Sequence, residues 1–148
     1  MSMASGIIRL HGRQYKTVAL RVQEFREQHP IDAGWGLCTK IVHVDADAVL
    51  FRAAIVDPQG REIAIGFAEE KRTNRGINST SALENCETSA LGRALAAAGY
   101  GGSEYASADE LVSALNQQRQ GGPASGGRGE RRGLARSPHP SWSRNHKR

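Results

Sequence analysis

Aromatic side chains are scarce in this chain: Phe, Tyr and Trp make up 5% of 148 residues. That argues against a barrel that binds oligonucleotides on a row of stacked rings. Cysteine is almost absent too. Cys38 and Cys86 form no Cys-x-x-Cys pair and lie in segments that should build core. Reduced, buried thiols are expected, which suits a cytosolic setting. The five histidines are scattered without metal-ligand spacing. No apolar run is long enough to span a membrane, and no basic-then-apolar leader opens the chain, so a cytoplasmic protein is expected. Gly99 to Ser103 lacks the lysine of a Gly-x-x-x-x-Gly-Lys-Ser/Thr phosphate loop, which argues against an intrinsic ATPase. No serine or cysteine can be paired with a histidine as an activated nucleophile from sequence.

Positive charge is present but uneven. From Gln117 to Arg148 eight Lys or Arg stand against Glu130 alone, a net +7, whereas residues 1–116 hold 12 basic and 14 acidic side chains, a net −2. A nearly neutral folded body of residues 1–116 therefore carries a basic tail, 117–148. The tail is rich in Gly, Ser, Pro, Arg and Gln and is expected to be disordered. Such tails most often meet polyanions.

The stretch Asn78 to Gly102 organises the body. Ser81 and Glu84 have the spacing of a capping box, so a helix is expected from Ala82. Leu83, Cys86, Ala90, Leu91, Ala94, Leu95 and Ala98 recur at three and four and should form its core face. Gly99 is placed to end it. Asn85, Ser89, Gly92 and Ala96 make a second stripe of small residues, which lets another backbone approach, either this domain's own sheet or a neighbouring subunit. Arg93 is the only cation between Arg75 and Arg119 and suits either an ion pair or a phosphate contact.

Upstream, Ile7, Ile8 and Leu10 suit a flexible lead-in or a first edge strand. Tyr15 to Gln28 reads as an amphipathic helix, with Val18, Val22 and Phe25 inward and Arg21, Glu24, Arg26 and Glu27 on other faces, stopped by His29-Pro30. Three strands follow over Gly36 to Val44, Val49 to Val56 and Ile63 to Ala68, separated by Asp45-Ala46-Asp47 and Asp57-Pro58-Gln59-Gly60. A three-stranded antiparallel meander results, whose face with Phe51, Ile55, Ile63, Ile65 and Phe67 is expected under the long helix. The fold class is α+β: helix, meander, long helix packed on the sheet, then a short helix from Ser107-Ala108-Asp109-Glu110 that docks weakly through Leu111, Val112 and Leu115.

Two chemistries fit these residues. Lys71, Arg72 and Arg75 cluster between sheet and helix, Lys40 and Arg52 lie on strands, and the helix start around Asn78 and Ser81 offers backbone N–H groups to a phosphate. Binding through the backbone of a nucleic acid would show weak sequence preference and strong salt dependence. The alternative is a metal-dependent nuclease in which Asp57 and Glu69 hold a divalent ion and Lys71 positions water; Asp57 also suffices as the first residue of its Pro-Gly turn.

The run Asn-Ser-Thr-Ser-Ala-Leu-Glu-Asn-Cys-Glu-Thr-Ser-Ala-Leu-Gly-Arg-Ala-Leu-Ala-Ala-Ala-Gly-Tyr-Gly from Asn78, after a three-stranded meander, resembles the core of phage single-strand annealing proteins of the ERF (essential recombination function) type. The resemblance covers about Tyr15 to Leu115. It implies a β-β-β-α core that forms rings or filaments, binds single-stranded DNA along a basic groove and anneals complementary strands without ATP or any cofactor, in phage-type recombination or repair. Plain single-strand binding without annealing is the alternative. Ser81 to Arg93 would be the helix supporting the groove, with Arg93 as the basic position near its end. Lys40, Arg52 and the basic residues of 71–75 would line it. Implied partners are single-stranded DNA, further copies of the chain, and a host or phage single-stranded-DNA-binding protein or exonuclease, in the host's nucleoid.

Overall fold

The computed structural model describes residues 6–72 and 81–120. Arg75, Asn78 and the expected disordered tail from 121 onward lie outside them. Two short strands, β1 (Ile7–Leu10) and β2 (Arg13–Lys16), form an antiparallel hairpin ahead of α1 (Val18–Gln28). Tyr15 therefore belongs to a strand, and the helix starts at its Thr17 cap, whose hydroxyl accepts from the Leu20 N–H at 3.2 Å. The sheet proper is β3 (Gly36–Val44), β4 (Ala48–Val56) and β5 (Glu62–Lys71), antiparallel in that order, with β3 and β5 as edges. Helix α2 (Ala82–Leu95) runs on through a wider turn, Ala96–Tyr100, and the chain reverses at Gly99. Helix α3 (Ala108–Gln120) follows. Its last residues, 117–120, are helical where the sequence pointed to tail.

Helices and sheet form two layers. Phe25 of α1 joins Val49, Phe51, Ala53 and Ile55 of β4, Ala64 and Ala68 of β5, and Ala82, Cys86, Ala90, Ala94 and Leu95 of α2 in one core. Each large member, such as Ile55 or Leu95, contributes about 1.5–3 kcal/mol by leaving water. The Cys86 thiol donates to the carbonyls of Val49 (3.3 Å) and Ala68 (3.1 Å), and burial pushes its pKa up. Leu83, expected in this face, is instead exposed.

The face of β5 that meets α2 is the small one. Ala64, Gly66 and Ala68 face the helix, while Ile63, Ile65 and Phe67 are 49%, 40% and 52% exposed. This overturns the expectation that those three sit under the helix with Phe51 and Ile55. The physical reason is the closeness of the layers. A Cβ on Gly66 would run into the backbone oxygen of Ala90 and the backbone nitrogen of Ala94, and stand 2.9 Å from the carbonyl carbon of Arg93. A helix with Ala90 and Ala94 on its inner stripe sits too low over β5 for Ile or Phe on that strand's inner face.

One member of the second small stripe of α2, Gly92, meets its neighbour inside the domain. Gly92 faces α1 rather than the sheet: a Cβ there would lie 2.7 Å from the Val18 methyl Cγ2. Arg21, expected on the solvent side of α1, is fully buried at the same crossing. Its Nη1 donates to the carbonyls of Gly92 (2.8 Å) and Tyr105 (3.0 Å), and its Nη2 to those of Ala106 (2.9 Å), Glu104 (3.2 Å) and Gly101 (3.4 Å). Desolvation holds the guanidinium below its ordinary pKa, opposed by Glu110 and Asp109 nearby. One buried cation thus shapes the loop between α2 and α3.

That loop anchors the first turn of α3, and beyond it the helix docks weakly, as expected. Ser107 and Glu110 form a reciprocal capping box, with the Ser107 N–H donating to Glu110 at 2.8 Å and the Glu110 N–H to the Ser107 hydroxyl at 3.1 Å. Asp109 accepts from the Val18 N–H at 2.7 Å, placing a carboxylate on the N-terminus of α1. Beyond the first turn Val112 and Leu115 are exposed. The analogous box at Ser81 does not form. Its φ and ψ of −129° and 22° lie outside the extended region usual for such a residue, and its side chain makes no capping bond.

Candidate nucleic-acid interface

With every helix on one side, the other side of the sheet is left open. Cross-strand partners share a face, so the register sorts its side chains into rows. Lys40 pairs with Arg52, and Arg52 with Phe67, giving one row across all three strands. The next row toward the β3 start is Cys38, Ala54 and Ile65, which leaves Cys38 exposed rather than buried as expected. Toward the other end lie His43, Leu50 and Glu69, and then Lys71 opposite Ala48. Three of the cations singled out from sequence, Lys40, Arg52 and Lys71, therefore lie on one surface.

These cations are not equivalent. Arg52 grips Glu62 through both terminal nitrogens, which fixes its guanidinium plane and raises its pKa. Lys40 and Lys71 pair with no carboxylate among the described residues. Arg72 is committed elsewhere: its side chain donates to the Asp45 carbonyl at 2.9 Å and its N–H to the Asp47 carbonyl at 2.7 Å, tying the end of β5 to the β3–β4 turn. Ser81 lies half-buried at the start of α2. Arg93 is in the helix layer, paired with Glu110 at 2.9 Å and 6.0 Å from the Tyr105 ring centre, in a groove of about 380 Å³ that Glu69 and Glu70 also line. That acidic setting does not suit a phosphate.

The β3–β4 turn is held by charge. Asp45 accepts from His43 Nε2 at 2.8 Å and from the N–H groups of Asp47 and Ala48, both at 2.8 Å. The His43 bond first, then the two backbone bonds, hold its carboxyl at about 2. A depressed carboxylate pKa stabilises the fold above the ordinary value of 3.8, and that contribution is lost as pH falls toward about 2. In an NMR titration the Asp47 and Ala48 amides should move with a midpoint near 2; a midpoint near 4 would mean that the turn does not hold the ionised form.

The residues considered for a nuclease are not brought together. Asp57 is buried at the β4–β5 turn, where its carboxylate accepts from the Gln59 and Arg61 N–H groups and from Arg61 Nε at 2.7 Å. Glu69 and Lys71 lie at the far end of the same hairpin, opposite Leu50 and Ala48. Seven residues of extended strand separate Asp57 from Leu50, roughly 24 Å.

Phe67 is one of the residues of this face, with Ile63, Ile65 and Cys38, that sequence reasoning placed wrongly. Its signal was present in the alanines of α2, which demand a small facing set on β5 and so turn the large set outward. Among the described residues no helix is long and apolar enough to cross a membrane. A family model described as Slr1353 N-terminal dsRNA-binding domain-like matches residues 22–98, the span from α1 through the sheet to the end of α2. No curated protein and no solved structure matches the chain.

Proposed function

Because the chain belongs to the Slr1353 N-terminal dsRNA-binding domain-like family, we propose that it grips nucleic acid on the open face of its sheet, prefers single strands, and brings complementary strands together without ATP. One observation carries this reading: Lys40, Arg52 and Lys71 gather on that face, where Arg52 is bound by Glu62 and Glu69 shares the row of His43 and Leu50, and Lys40 and Lys71 have no carboxylate partner among the described residues. Recognition of a duplex through phosphates of successive grooves needs cations spread over a long surface. A face three strands and about 10 Å wide suits one polynucleotide chain.

Annealing needs no bond made or broken by the protein. Cations that neutralise phosphates on two strands lower their repulsion, and pairing itself then tests complementarity. Copies of the chain assembled as a ring or filament would multiply modest affinities. Residues 117–148, with their net +7, raise the encounter rate with a polyanion. In a cell such an activity belongs to recombination or repair, alongside an exonuclease or a single-stranded-DNA-binding protein that supplies the strands.

The test compares labelled oligo-dT with duplex RNA over a salt series and follows pairing of complementary oligonucleotides without nucleotide. Single strands should bind more tightly, and Lys40→Ala or Lys71→Ala should each flatten the slope of log K against log salt by about 0.7–1. Tighter binding to duplex RNA, or strand pairing no faster than in buffer, would overturn the proposal.

A further inference from the structure

We propose that Phe67 is a nucleobase-stacking site, which rests on the nucleic-acid-binding reading above and adds the part of the ligand that this face takes. The ring is 52% exposed at mid-strand, the core on the other side of β5 is complete without it, and Phe67 also borders the groove that holds the Arg93–Glu110 pair. Ile65 and Ile63 extend the apolar strip along β5, both at least 40% exposed. An uncovered strip of this kind on a small domain marks a contact surface.

What the strip contacts is decided by its row. Across the sheet from Phe67 come Arg52 and then Lys40, at successive spacings of about 5 Å, so an aromatic face stands beside two cations. A nucleotide has the same two parts, an apolar flat base and an anionic phosphate. The guanidinium of Arg52, held flat by Glu62, is a second platform for a base or a donor to its phosphate. A second copy packed sheet to sheet would bury Lys40 and Lys71, a residue type that the centres of protein interfaces avoid. The chain's own basic tail is repelled by the same charges. A ring that takes a base by its face leaves the pairing edge outward, which is the geometry strand annealing needs.

The experiment uses the full chain with two labelled ligands of equal length, oligo-dT and an abasic deoxyribose-phosphate oligomer. Phe67→Ala should weaken oligo-dT binding roughly tenfold and leave the abasic oligomer unchanged, while Phe67→Tyr should retain both affinities. Phe67→Trp should add fluorescence that oligo-dT quenches and the abasic oligomer does not, beyond any change in the parent protein. Unchanged oligo-dT affinity in Phe67→Ala overturns the stacking site and leaves phosphate binding standing. Failure of the parent protein to bind either ligand overturns both. Should Phe67→Ala lose both affinities together with a fall in sedimentation coefficient, the face joins copies of the chain and the stacking site is wrong.

Discussion

Gly66→Ala should destabilise the domain by about 3 kcal/mol or more, at the upper end of what overpacking a core costs. The added methyl meets only backbone: the Ala90 oxygen, the Ala94 nitrogen and the Arg93 carbonyl carbon. No side chain can rotate aside, so the helix must lift as a whole. Lifting it loosens Ala90 and Ala94 from the sheet and opens space beside Cys86 and Ala68, both now buried. Thermal or urea unfolding of the variant reads the loss directly, and a Tm within 2 °C or so of the parent would show that the layers are not in the contact described here. Gly92→Ala is a milder case, because its obstacle is one methyl of Val18 and the neighbouring Ser107 side chain is 3.7 Å away.

Arg21→Met should cost about 3–5 kcal/mol, the range for breaking a buried charged network on one side only. A buried ion pair can be replaced by apolar residues at little cost when both partners go, but here the partners are main-chain carbonyls that stay behind. Gly92, Gly101, Glu104, Tyr105 and Ala106 would all lose a donor. Arg21→Lys should recover only part, since an ammonium has three N–H groups at a single point and cannot span five acceptors. Nε of Arg21 has no partner among the described residues, where the guanidinium is held by its outer nitrogens. Denaturation gives the size of the effect. Hydrogen exchange gives its place: the amides of the first turn of α3, Leu111 among them, should lose protection ahead of those of β4. Equal protection in parent and variant would remove the guanidinium from its role in the loop.

The elements legible in the sequence were those whose signals are local. Pro30 ends α1, the Asp57 to Gly60 turn separates β4 from β5, and the Ser107–Glu110 pair starts α3, each within four residues of its cause. Alternation in β5 shows that two faces exist without saying which is inner, because a one-residue choice exchanges every side chain. Size favoured Ile63, Ile65 and Phe67 as the inner set, and the low-lying helix reversed it. Arg21 was illegible for another reason. Its acceptors lie between 71 and 85 residues away, and nothing near Arg21 marks them. Of the candidate interface, Lys40, Arg52 and Lys71 were found as types suited to phosphate, and only the strand register shows that they share a surface. Arg72 and Arg93 looked equivalent to them in sequence but are held by the Asp45 carbonyl and by Glu110, as Arg52 is by Glu62, so Lys40 and Lys71 are the two with no carboxylate partner among the described residues. The resemblance to annealing proteins agrees with the family match at its coarser level, a domain that handles nucleic acid.

The reach of Arg21 also separates the stretch that inheritance marks from the stretch that folds. The family match begins at residue 22, one past the arginine, and stops at 98, short of Gly101, Glu104, Tyr105 and Ala106. A fragment trimmed to those limits discards the cation along with four of its acceptors, removes the first turn of α1 together with the Asp109 carboxylate that caps it, and bares the flank of α2 at Gly92. The unit that packs is therefore wider than the matched span, because the flank of α2 at Gly92 is closed by Val18 and Arg21, both outside it.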